Sequence, residues 1–442
     1  MPETVMIFNS RMYLPRMKTL AGLMSLFLSV TLYAQQTDCR QKLDSAAVIL
    51  SRTPSFRAQV IGDARTAYDE LLVRLRSRAD AAADPFHCFV TISRLFDPIR
   101  DNHLSFFEKP VAVLQPSDFN NTAKVESFRK AVVSKREPVW DGNTRDLQRR
   151  LAKLATDSVE GIYWYGEEIA IGVTRTGQKD SLVGVVLQSS IPVWKKGEVM
   201  LVLRQYGPDR FRAIAAQPYT RTWGMTKHER LIAGTLTETV LYNSDYSRRS
   251  LWSKKTGVTD HRNIPASART FELRQLGDST QYLRLGSFAT DDNTLVRAHA
   301  FYDSVATKLT ASRLVLDLRN NGGGGFRNSR NMLNQLEKFA RTRRIHVIVN
   351  NRTYSNAEQF LVLLKYSPNV RIYGETTNGT LTYGSNTGRL IHLPGNAAWV
   401  VYPTDMKEAG STLQYEDVGI RPHVLLSNDS DWIGQVIDFA SH

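Results

Sequence analysis

"IHVIVNNRTYSNAEQFLVLLKY", residues 345–366, reads as a strand, a polar turn and a helix. "IHVIV" is a short, mostly β-branched apolar run, and "AEQFLVLLKY" spaces its apolar residues as a helix does. A lone serine, Ser355, stands where the strand hands over to the helix. Its hydroxyl can cap the helix, and Glu358 three residues on completes a capping box. The same position suits a nucleophile, because the next backbone N–H, that of Asn356, points where an oxyanion would form.

Outward from this unit, residues 268–435 alternate in the same way. "QYLRLGSF", "RLVLDLR", "IHVIV", "VRIYG" and "AAWVVYP" are strand-like, while "TLVRAHAFYDSVATKL", "SRNMLNQLEKFAR" and "AEQFLVLLKY" are helical. Alternation of this kind predicts an α/β layer with a partly parallel sheet, whose working groups gather at the carboxyl ends of the strands. "DLRNNGGGG", Asp317 to Gly325, lies at such an end. Consecutive glycines let the backbone adopt positive φ and aim N–H groups at an anion or an oxyanion, although a Gly run also suits a flexible loop. No Gly-Lys-Ser/Thr follows, so the loop is not a nucleoside-triphosphate loop.

Residues 40–100 carry three helical patterns, and "SFRKAVV" adds another within 115–150. Residues 158–245 change to short β-rich runs such as "SLVGVVLQSS" and "EVMLVLRQYG", which predict a small antiparallel sheet or barrel. With 442 residues, 42% of them hydrophobic and 23% charged, the chain is long enough for two or three folded domains. The division expected is 35–150 helical, 151–265 an inserted β-rich domain and 266–442 the α/β domain.

The formal charge is +14. Its basic residues are scattered, with no long run interleaved with aromatics, so nucleic acid is not the expected partner. "RMKTLAGLMSLFLSVTLYAQQ" has Arg16 and Lys18, an apolar stretch from about Leu20 to Tyr33, and then Ala34. That is the order of a secretory signal peptide, expected over 1–34 with Met12 or Met17 as further candidate starts. The stretch is shorter than a span of ~20 residues, so no membrane span is expected after its removal. The exported chain would be periplasmic or extracellular. Cys39 and Cys88 are then free to pair in an oxidising compartment or to stay as buried thiols. No His-Glu-x-x-His, zinc-spaced Cys pair or acidic calcium loop is present, and no metal or cofactor is expected.

Taken together, Asp-Leu-Arg-x-Asn-x-Gly-Gly, a serine roughly thirty residues on in a Thr-x-Ser-x-x-Glu setting, "YGETTNG" and "EDVGIRP" resemble the C-terminal processing peptidases, the S41 serine peptidases. The resemblance implies an α+β multidomain chain with a ClpP/crotonase-like α/β catalytic domain. It implies a serine endopeptidase acting on protein or peptide, with Ser355 as nucleophile. One branch of that family draws its base from a lysine just beyond the Gly-Glu-x-Thr-x-Gly motif. Here Thr380 follows that motif and no lysine occurs from Tyr366 to Pro403. The tricorn-like branch uses a histidine from the helical region and a glutamate near the C-terminus, which His103 in "DPIRDNHLSFF" and Glu416 in "YEDVGIRP" match. The resemblance gives the oxyanion donors as Asn356 and Gly324, with Gly323 one residue off in register. Two departures stand out: Asn102 replaces the serine before the histidine, and His423 follows Pro422 where an aspartate is usual. His87, His228, His261, His299, His346, His392 and His442 lack a catalytic context, and His346, inside "IHVIV", reads as structural. A non-catalytic ligand- or peptide-binding protein on the same scaffold is the main rival. An acyl-CoA enzyme of the crotonase kind is a weaker one, since no nucleotide site accompanies the export signal.

Overall fold

The computed structural model describes residues 39–132, 138–239, 241–242, 249–254, 259–265, 267–406 and 410–441. The expected export signal, 1–34, lies outside the described residues.

The helical region comes first: α1 (39–51), α2 (Pro54–Gln59), α3 (Asp63–Asp80) and α4 (Pro85–Ser93). Local chemistry starts two of these helices. Thr53 accepts from Phe56 N ahead of Pro54, and Asp84 accepts from His87 N ahead of Pro85, in each case a side-chain cap followed by a proline in the first turn. Cys39 of α1 and Cys88 of α4 form a disulfide. The chain continues through β1 (Ser105–Glu108), α5 (Thr122–Val132) and α6 (Thr144–Leu151).

The β-rich segment holds β2 (Gly161–Tyr165), β3 (Ile169–Arg175), β4 (Ser181–Ser189), β5 (Val199–Gly207), β6 (Arg210–Ala216), β7 (Trp223–Ile232) and β8 (Thr235–Leu236). A small hairpin, β9 (Leu241–Tyr242) with β10 (Arg249–Ser250), and then β11 (Trp252–Ser253) complete it. The strands pair in the order β7-β6-β5-β4-β3-β2-β11-β8, and β8 returns to β7. The result is a closed eight-stranded antiparallel barrel, which leaves no edge within the ring. Its core is one cluster with that of the helical region: Phe89, Phe96 and Phe106 belong with Tyr163, Leu201 and Phe211.

The α/β layer runs β12 (Phe271–Gly277), β13 (Thr280–Leu285), α7 (Asp292–Ala306), β14 (Arg313–Asp317), α8 (Phe326–Ala340), β15 (Arg344–Val349), α9 (Asn356–Leu364) and β16 (Val370–Gly374). After it come β17 (Ile391–Leu393), β18 (Asn396–Tyr402), β19 (Val424–Leu425) and α10 (Trp432–Ser441). The sheet order is β12-β13-β14-β15-β16-β19, with β12 antiparallel and every other pair parallel. Successive strand residues face opposite ways. Leu314, Leu316, Val347 and Val349 pack with Met332, Leu336, Phe360 and Leu361 of α8 and α9. Val315, Ile348 and Tyr373 pack with Trp432 and Val436 of α10. Complete burial of a side chain such as Phe360 contributes roughly 2–3 kcal/mol.

The strand expected at "AAWVVYP" forms, but it leaves this sheet. β18 pairs with β1, and β1 pairs with β7 at the barrel wall. The segment that carries residue 103 is thereby fastened to the barrel on one side and to the C-terminal part of the chain on the other.

Candidate active site

β15 ends at Val349, and the chain turns through residues 350–354 before α9 begins at Asn356. Ser355 has φ 60° and ψ −130°, a conformation that costs a non-glycine residue about 1–3 kcal/mol. The surroundings hold it there: Ser355 N donates to Thr380 O at 2.8 Å, and Tyr354 N to Asn321 O at 3.1 Å. The capping-box expectation fails for a physical reason. At this φ the hydroxyl makes no cap bond to the helix. Glu358 is committed elsewhere, accepting from Thr377 Oγ1 at 2.5 Å, Gly379 N at 2.8 Å and Thr380 N at 2.9 Å. Burial raises its carboxyl to about 7.

The Ser355 hydroxyl instead meets His103: Nε2 and Oγ are 3.1 Å apart. His103 lies in a stretch without regular structure between α4 and β1, so other parts of the molecule must hold it. Gln59 and Arg100 exchange a pair of 2.9 Å bonds, side chain to backbone. Arg100 Nη2 donates to the carbonyls of Leu413 and Glu416, and Asn102 Nδ2 to Gly379 O. Asp101, fully buried, accepts from Leu104 N at 3.1 Å and Thr404 Oγ1 at 2.6 Å.

Glu416 is brought into this cluster, but not onto the imidazole. Oε1 accepts from Asn102 N at 2.8 Å, and Oε2 from Leu381 N at 3.0 Å and Thr382 N at 2.9 Å. Burial lifts its carboxyl to about 7 against the pull of those three donors. His103 Nδ1 is buried. Burial holds the imidazole below the ordinary histidine value; the Asp101 charge and the Tyr383 backbone oppose that shift, and Lys227 and His228 add to it. A neutral ring whose Nε2 faces a hydroxyl is able to accept its proton.

The glycine loop closes the other side. Gly323 has φ +81°, and a Cβ on it would stand 2.7 Å from both Ser355 Cβ and Asn356 N, so only glycine lets the loop approach this closely. Its own N–H is occupied by Asn321 Oδ1 at 2.9 Å. Gly324 is locked against Phe288, with Phe288 N donating to Gly323 O and Gly325 N to Phe288 O. The N–H groups of Gly324 and Asn356 donate no hydrogen bond among the described residues. Asn356 also opens α9, where the helix dipole favours negative charge.

One wall of the site was not legible in the sequence. β7 buries Lys227, His228, Glu229 and Arg230 in succession. His228 Nε2 meets Asn378 Oδ1 at 3.2 Å, and Arg230 Nη2 donates to Thr377 O at 3.3 Å and to Glu238. The barrel thus grips the same 377–380 turn that receives Ser355 N. A run reading "TKHER" has the polarity of a solvated loop, and no local signal marks it as buried.

The remaining histidines stand apart. His346 Nδ1 meets Tyr373 Oη at 3.1 Å within the sheet, as its strand context implied. The departure at His423 also has an explanation: its N donates to Ile372 O and its Nδ1 accepts from Ile372 N, both at 2.9 Å, so the side chain completes a backbone pairing beside β16. Among the described residues no group of three or more His, Cys, Asp or Glu is arranged to hold a metal ion, and no helix is long and apolar enough to cross a membrane. A cavity of about 1020 Å³ lies between α1 and β17, lined by Arg40, Asp44, Val48 and His392, none of which belongs to the site.

No family model and no curated protein matches the chain. S41-family peptidases recur among the solved structures similar to it. One is the photosystem II D1 C-terminal processing protease, at 15% identity, covering 90% of this chain and 96% of that one with a TM-score of 0.35. Mature CPAF has 11% identity, 92% and 99% coverage and a TM-score of 0.38. The tricorn protease has 10% identity and a TM-score of 0.38, covering 92% of this chain and 36% of that one. Likeness at this level carries no functional argument, and the chemistry has to be read from the residues.

Proposed function

We propose that the chain is an exported serine endopeptidase that cleaves peptide bonds through an acyl-enzyme. The observation that carries this reading is the 3.1 Å approach of His103 Nε2 to the hydroxyl of a serine held at positive φ. Strain of that kind at a strand-to-helix turn, with the hydroxyl not used as a cap, is what a nucleophile requires.

In the reaction Ser355 Oγ attacks the scissile carbonyl carbon while His103 Nε2 takes the hydroxyl proton. The carbonyl oxygen, now an oxyanion, is met by the N–H groups of Gly324 and Asn356; losing one such donor costs roughly 3–4 kcal/mol in the transition state. The imidazolium returns the proton to the departing amine, which leaves an ester on Ser355. A water then attacks the ester, His103 takes its proton, and that proton passes to Ser355 Oγ as the acid departs. Glu416 acts on this sequence as a positioning residue, through the Asn102 N–H next to the base.

The same reading takes residues 266–442 as a ClpP/crotonase-like peptidase domain, 35–150 as the region that supplies the base, 151–265 as an inserted domain and 1–34 as the export signal. Casein digestion by the wild type and by Ser355→Ala tests it. The expected result is hydrolysis by the wild type and a loss of about 10⁴-fold or more in the variant. Equal activity in both would remove Ser355 as the nucleophile. Binding of peptide by a folded wild type that never cleaves it would favour the ligand-carrier alternative.

A further inference from the structure

We propose that Lys227, on barrel strand β7, is a positioning residue for the general base: its buried ammonium pins the carbonyls of Ile99 and Asp101 and so fixes where His103 meets Ser355. The inference rests on the peptidase reading and gives the barrel a part in the chemistry.

Lys227 is only 4% exposed. Nζ donates to Ile99 O at 2.9 Å and to Asp101 O. Those carbonyls lie four and two residues before His103, in a stretch that makes no helix or strand of its own. A buried lysine is costly unless its head group is satisfied. This one spends its hydrogen bonds on the backbone of the segment that carries the base, and it forms no close ion pair among the described residues. It is not itself placed as the base, because Nζ is directed at Ile99 O and Asp101 O while the Ser355 hydroxyl is met by His103 Nε2. Burial lowers the Lys227 pKa from its ordinary value and Arg212 of β6 adds to that shift, while Asp101 of the His103 segment and Asp417 and Glu416 of the C-terminal turn oppose it and favour the ammonium. Those acting on His103 are Asp101, Lys227 and His228. The arrangement makes two demands. Removing the hydrogen bonds should let the imidazole drift from Oγ, and removing the positive charge should make the imidazole easier to protonate.

The test is the second-order rate of fluorophosphonate labelling at Ser355, measured from pH 5 to 9 in the full chain as wild type, Lys227→Met and Lys227→Gln. Near-ultraviolet circular dichroism and Tm are recorded for each. In folded Lys227→Met the rate should fall about 10- to 100-fold, and the acidic limb should move to higher pH. Lys227→Gln keeps an N–H donor without the charge, so it should recover part of the rate but show the same displaced limb. A purely structural role does not produce that split. Rates within about twofold of wild type, with an unmoved limb, would overturn the proposal and leave the peptidase reading intact. Failure of both variants to fold would reduce Lys227 to a folding residue and overturn it equally. Absence of labelling in the wild type would instead strike the peptidase reading.

Discussion

The nucleophile side and the base side of this site are held in opposite ways. Ser355 is carried by one contiguous unit, β15, its turn and α9, and the strain at its backbone is balanced by bonds to Asn321 after β14 and Thr380 after β16. His103 has no such unit. It is held by Gln59 from α2, by Glu416 from near the C-terminus and by Lys227 from the barrel. The first arrangement is contained within the α/β layer, whose neighbouring strands deliver its partners, whereas the second depends on the folding of three distant regions. Disturbing the serine side should therefore damage chemistry at once, and disturbing the histidine side should damage chemistry and tertiary stability together.

The largest effect expected from a single backbone position is on the serine side. Gly323→Ala places a methyl group within 2.7 Å of Ser355 Cβ and Asn356 N at a φ that alanine resists. kcat/KM should fall about 10²–10³-fold, the scale of a lost oxyanion donor. Wild-type kinetics in this variant would mean that the loop does not floor the pocket. Next, Glu416→Ala leaves three backbone N–H groups without their acceptor, on the side where assembly and chemistry coincide. At about 1–3 kcal/mol for each buried donor, chemical denaturation should show a loss of several kcal/mol, accompanied by a lower kcat. A lower kcat at unchanged stability would show that the histidine side is more local than the contacts imply. Breaking the Cys39–Cys88 link, which closes a loop of sequence separation 49, should cost about 4 kcal/mol by loop entropy alone. That loss should fall on the helical and barrel core to which Phe89 and Phe106 belong. Reduction that leaves Tm unchanged would contradict it.

Two pH effects are smaller and separate the sides further. Burial holds His103 below its ordinary value of 6.5, so the acidic limb of kcat/KM should have its midpoint below pH 6.5. A midpoint above 6.5 would require a different base. His346, in the sheet beneath the serine side, is lowered by burial to about 4. Between pH 6.5 and about 4 the unfolded chain binds the proton that the folded chain refuses, so stability present above 6.5 is lost as pH falls through that window. In His346→Phe the decline across those pH values should be shallower, as urea denaturation at pH 7 and pH 4.5 would show.

What could be read in advance follows the same division. Regular strands and helices from β13 to β16 were visible because each parallel strand is a short apolar run and each helix has a 3.6-residue period. Ser355 was singled out by its place between strand and helix and the glycine loop by its composition, whereas the "EDVGI" turn was singled out by resemblance alone. β7 was missed: its Lys227-His228-Glu229-Arg230 run is polar in composition yet buried, and it is contacts with Ile99 and Asn378, far away in sequence, that justify that burial. The capping box at Ser355 and Glu358 was misread for a related reason. The motif is local, but Glu358 answers to a turn some twenty residues further on. β18 was visible as a strand, but its partner β1 was not, because pairing across nearly 300 residues leaves no mark on either segment.

The central claim is that His103 activates Ser355. A fluorophosphonate probe, followed by peptide mapping, tests it most directly on wild type and His103→Ala of equal Tm. The account predicts a single modified site at Ser355 in the wild type and almost none in the variant. Equal labelling of both at Ser355, or labelling at some other residue, would contradict it.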